Sequence, residues 1–142
     1  MLAALALPRA EVSILLCDDA AIHELNRTYR HIDRPTDVLA FAIRESNDPT
    51  IPIGMLGDVA ISIDTATRQA GEARRSVEDE IAMLLAHGLL HLLGHDHRDR
   101  TEERRMTART DALRSVAIAQ RAFPRSPADR RKTPVRARRG GK

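Results

Sequence analysis

At 142 residues, with 42% apolar and 30% charged side chains, the chain can build one domain with a real core but not two of ordinary size. Its single cysteine, Cys17, excludes an internal disulfide, and an aromatic content of 2% leaves the core to Leu, Ile, Val and Ala. The net charge of +3 combines two unlike parts. Residues 123–142 hold eight Lys/Arg against one Asp, while the preceding 122 residues carry a net −4.

The opening MLAALALP has no basic residue ahead of its apolar run and is broken at Pro8, which makes it a poor signal peptide. The longest apolar stretch, residues 81–93, is interrupted by His87, Gly88 and His91 and falls short of the roughly 20 residues a membrane span requires. A cytoplasmic protein is therefore expected.

Residues 11–17, EVSILLC, alternate Val12, Ile14 and Leu16 in the manner of a strand with one buried face, ending on Cys17 as small core filling. Asp18 and Asp19 can cap a following helix in which Ile22, Leu25 and Tyr29 recur at helical spacing and Pro35 limits continuation. VLAFAI, residues 38–43, is short and apolar on both faces and predicts a central strand covered on both sides. Residues 44–54 read as a loop. LGDVAISI, residues 56–63, predicts a further strand, with Asp64 placed to cap a short helix through Ala73.

Ser76 opens the most informative segment. Ser76-Val77-Glu78-Asp79 resembles a capping box, and Ile81 to Leu93 is apolar on nearly every face, predicting a helix through the core that Gly94 stops. A last helix is predicted from Thr101 to about Gln120, with Met106, Leu113 and Val116 inward. The elements define a single α+β domain over residues 1–122, with a small mixed sheet of three or four strands packed with about four or five helices. Residues 123–142, rich in Pro, Gly and Arg, form an expected disordered basic tail, either solubilising or in non-specific contact with phosphate backbones.

Four of the six histidines fall in His87-Gly-Leu-Leu-His91-Leu-Leu-Gly-His95-Asp-His97. His87 and His91 are four apart and project from one helical face, the spacing at which two imidazoles reach one ion. Gly94 lets the chain fold back so that His97 can join them, whereas His95 is left facing the cleft or solvent. Three neutral imidazoles suit zinc or another borderline metal and leave a tetrahedral position open, as catalytic rather than structural sites do. The bland alternative, polar residues at a helix end, would require a separate buried partner for each ring. The same skeleton is that of metzincin peptidases, but their general-base glutamate is replaced here by Gly88, so a different reaction is expected.

HGLLHLLGHDH resembles the signature of the YbeY family of bacterial endoribonucleases, which act in ribosomal RNA maturation. LNRTYRHIDRPTDVLAF (25–41) and GDVAISIDTATRQA (57–70) are similar to two further blocks of that family, in the same order, so that the likeness covers roughly residues 2–122. The resemblance implies a zinc ion on His87, His91 and His97, with Arg30 at the position of the family's functionally important arginine. A guanidinium suits that position, because its planar fork pairs with phosphate and is always charged. The chain departs from the family's pattern in two places: family members usually begin with another strand and a longer first helix, whereas this sequence starts inside what would be that helix, and His95 stands where the family more often has a tyrosine. The expected activity is metal-dependent, single-strand-specific RNA cleavage in maturation of the 16S rRNA 3′ end and in ribosome quality control. The expected partners are rRNA and the ribosome or its small subunit. Two other readings stand beside it: a ribosome-assembly factor in which zinc is structural, and a metzincin-like peptidase. Positive charge for RNA has to be gathered locally, and Arg27, Arg30 and Arg34 would form one stripe if their helix ran on.

Overall fold

In a computed structural model, residues 1–43, 49–50, 54–95 and 100–119 are described. After a 3-10 turn at Ala3–Leu5 come β1 (Glu11–Cys17), α1 (Asp19–Arg30), β2 (Val38–Ala42), β3 (Met55–Ser62), α2 (Ile63–Ala73), α3 (Val77–Leu92) and α4 (Arg100–Ala119). Among the described residues three strands form one mixed sheet in the order β1-β3-β2, with β1 parallel and β2 antiparallel to β3. This is the expected α+β class. The basic segment at residues 123–142 lies outside the described residues.

β3 organises the core because both of its faces are covered. Val59 and Ile61 turn toward α3, joining Leu84, Leu89, Leu92 and Ala66. Ala60, one residue out of phase, turns to the other face and meets Ile22 of α1 and Leu39 of β2. Behind α3, its opposite side carries Ala86 and Leu90 against Met106 and Leu113 of α4. α3 is thus buried on the sheet side and the α4 side at once, as its all-round apolar sequence requires. Burial of each large side chain such as Ile61 or Leu90, both 0% exposed, contributes about 1.5–3 kcal/mol.

Three expectations are corrected here. The central strand is β3, not residues 38–43: β2 lies at a sheet edge, and its two-faced apolar pattern reflects packing on α1 and α3 rather than strands on both sides. The alternation in β1 does not make a buried face, since Ile14 and Leu16 are 50% and 47% exposed on the opposite edge strand. Tyr29 does not enter the core either. It is 63% exposed, and Asn26 takes the buried position beneath the helix end, donating from Nδ2 to the Arg34 carbonyl at 2.8 Å.

The helix starts show how neighbouring elements exchange caps. Asp18 Oδ1 accepts the Ala21 N–H, as expected for α1. Asp64 does not cap α2. Ser62 does, accepting the Thr65 N–H, while Asp64 reaches across to accept the Asp19 N–H. Asp19 reciprocates, its carboxylate accepting from Ser62 Oγ, Thr65 Oγ1 and Arg68 Nη2. The Ser62 and Thr65 hydroxyls, followed by Arg68, hold that carboxyl at about 2, below the usual range. Ser76 caps α3 by accepting the Asp79 N–H at 3.1 Å. One turn in, Glu80 is 2% exposed with Arg75 Nε at 3.5 Å; burial pushes its carboxyl up and the arginine only offsets that. Arg114 of α4 lies 3.0 Å from Asp79, fixing α4 against the same end of α3.

Candidate active site

The last two turns of α3 carry His87 and His91, and the two Nε2 atoms approach to 3.0 Å with the rings at 75°. Two Zn–N bonds of about 2.05 Å at the tetrahedral angle would separate their nitrogens by about 3.3 Å. The observed pair is close to that spacing before any ion is considered, so the donor set and its convergence fit a borderline divalent metal.

Two features bring these rings to the sheet. Gly88, between them in sequence, faces Val59 so closely that a Cβ there would lie 2.8 Å from Val59 Cγ1 and 3.4 Å from Val38 Cγ2. The glycine that removes the peptidase base therefore lets α3 lie flat on β2 and β3. Past the last turn, the Gly94 N–H donates to the His91 carbonyl and the His95 N–H to the Leu90 carbonyl, with Gly94 at φ +87°. This is a Schellman stop, and it reverses the chain two residues before His97. His97 itself lies outside the described residues, and among those described no three His, Cys, Asp or Glu side chains form a metal-holding group.

The paired rings open into a cleft of about 770 Å³ whose lining includes the end of α1, β2 and the Gly94–His95 turn. Its volume falls within the range usual for ligand sites. Arg30 lines it, the last residue of α1. Its Nη2 donates to the Ala40 carbonyl and its guanidinium sits 5.2 Å over the Phe41 ring, whose edge-on neighbour is Tyr29 at 5.5 Å. Arg30 is therefore held over the edge strand rather than serving only as a helix-end cation.

The three-arginine stripe does not form. α1 ends at Arg30 because His31 adopts a left-handed conformation (φ 60°), Arg27 pairs with Glu24 at 2.7 Å, and Arg34 lies beyond the helix. Sequence reasoning passed over Tyr29 and Asp37 as cleft residues. The Asp37 carboxylate accepts from the Val38 N–H at 2.8 Å and from Gln69 Nε2 at 3.2 Å, which makes it an anchor for the start of β2. Its signal was the Thr36-Asp37 pair directly before an apolar strand. Cys17 is half-buried, its thiol pushed up by burial and by Asp18, Asp19 and Asp64, in keeping with packing rather than reactivity.

The fold matches a solution structure of a Thermotoga maritima protein at a TM-score of 0.55 and 26% identity, covering 89% of this chain and 79% of that one. Among curated proteins, the "Endoribonuclease YbeY" of Syntrophotalea carbinolica is 52% identical over 108 residues, covering 75% of this chain and 72% of the relative. That of Moorella thermoacetica is 53% identical over 110 residues, covering 73% and 70%. A family profile described as Endoribonuclease YbeY matches residues 2–116. With two imidazoles converging in a cleft beside an anchored arginine and this breadth of similarity, the chain belongs to the YbeY family of endoribonucleases.

Proposed function

We propose that this chain cleaves phosphodiester bonds of single-stranded RNA in the His87–His91 cleft. His87, His91 and His97 would hold one zinc ion, which when bound supplies Lewis-acid polarisation of a phosphoryl oxygen. The 3.0 Å approach of the two Nε2 atoms inside the cleft is the observation that carries this reading. Arg30 engages the scissile phosphate with its remaining N–H groups, and its bond to Ala40 fixes the fork's direction. The exposed ring of Tyr29 offers a stacking surface for an unpaired base, which a duplex could not supply. Membership of the family supports rRNA as the substrate, with the 3′ end of 16S rRNA and ribosome quality control as the setting and the small subunit in the cytoplasm as the partner. Among the described residues no helix is long and apolar enough to cross a membrane.

Cleavage of a fluorescent single-stranded oligoribonucleotide tests this. His91→Ala should fall to background, and Arg30→Ala should lose about 10²–10³-fold in kcat, the scale set by removing one preorganised donor to developing charge. Parental rates in both variants, with contaminating nuclease excluded, would remove the cleft from the reaction.

A further inference from the structure

His95, which lines the cleft at the Gly94 turn, has its Nε2 3.0 Å from Nη1 of Arg109, fourteen residues later on α4. A guanidinium only donates, so Nε2 accepts and the ring proton sits on Nδ1. One of the five N–H groups of Arg109 is engaged this way, leaving four for another acceptor. Arg27, Arg68, Arg75 and Arg114 each lie against a carboxylate. Arg109 is exposed, and among the described residues it has no such ion pair. The contact bridges the turn after the helix that carries the paired histidines and the middle of α4. It holds a cation beside the Gly94–His95 part of the cleft lining, to which Arg30 at the end of α1 also belongs.

We infer that Arg109, held by His95, is a second phosphate-binding residue, gripping a backbone phosphate next to the one Arg30 engages. This rests on the RNA-cleavage reading and extends it. A body of net −4 has to concentrate positive charge where RNA lies, and Arg30 in the cleft lining with Arg109 on the lining residue His95 does so. Because Arg109 contacts a phosphate that does not react, it contributes uniform binding, which appears in KM and leaves kcat in place.

Steady-state cleavage of a ten-nucleotide single-stranded RNA by the full chain, at several salt concentrations, tests it. Arg109→Ala should raise KM roughly tenfold with kcat nearly unchanged, as loss of one charged hydrogen bond to phosphate does. The slope of log(1/KM) against log salt should become shallower by about 0.7, one phosphate contact on a single strand. Arg104→Ala removes the same charge from another point on α4 and should move neither quantity. His95→Leu should reproduce part of the KM rise, and His95→Gln, which keeps an acceptor, should recover it. An Arg109→Ala enzyme with parental KM and salt slope, or an equal shift in Arg104→Ala, overturns the assignment while leaving the Arg30 cleft intact. A parent chain that cuts no RNA brings down the cleavage reading and this inference with it.

Discussion

Chelation of the protein as isolated should abolish RNA cleavage and leave the helical far-UV signal largely in place, with activity returning on addition of zinc. The expectation follows from what holds α3. Leu84, Leu89 and Leu92 pack on the sheet and Ala86 and Leu90 on α4, so the helix bearing His87 and His91 is buried without help from an ion. Its first turn is closed by the Ser76 cap and its last by the Schellman bonds of Gly94 and His95. An ion bound only by the native state still adds stability by mass action, so the melting temperature should fall on chelation, but the domain should not unfold. Collapse of the helical signal together with activity would instead favour the reading in which zinc is structural and cleavage secondary.

Replacing Gly88 by glutamate restores the peptidase-type sequence and should destabilise the domain by about 3 kcal/mol without creating a peptidase. A Cβ at this position meets Val59 Cγ1 at 2.8 Å and Cγ2 at 3.2 Å, and Val59 is fully buried on the central strand, with no open side toward which to move. Overpacking of that kind costs about 1–3 kcal/mol, and a carboxylate forced against the sheet adds a desolvation cost. Thermal melts should show a drop of roughly 10 °C or more. Gly88→Ala separates the two costs. It gains helix propensity of up to about 1 kcal/mol and suffers only the Cβ contact, so it should melt between the parent and the glutamate variant. A Gly88→Glu protein as stable as the parent would mean that α3 does not rest on β3 at this point.

Local signals in the sequence located the elements well, and long-range relations were less legible. Asp18, Ser76 and Gly94 act where their chemistry predicts, because caps and left-handed stops depend on a few neighbouring residues. The i, i+4 histidine pair was readable for the same reason. The sheet order was not. An apolar run such as Val38–Ala42 fits a central strand or an edge strand sandwiched between helices, and only its pairing, with β3 alone among the described residues, distinguishes them. Asp64 was misread as the cap of its own helix because its actual acceptor role belongs to Asp19, 45 residues away. Tyr29 keeps helical spacing with Ile22 and Leu25 yet lines the cleft, exposed at the last turn of α1 with the Phe41 ring as its neighbour. The His95–Arg109 bond joins two segments with no sequence pattern in common and became visible only in three dimensions.

Metal stoichiometry by elemental analysis of the purified full chain tests the central claim most directly. The account predicts about one zinc per parent chain, as a three-imidazole site with an open fourth position requires. It also predicts loss of that ion in each of His87→Ala, His91→Ala and His97→Ala, with retention in His95→Ala and Arg30→Ala. A parent chain that carries no divalent metal and takes none up, or a His97→Ala protein that keeps its full complement, would contradict it.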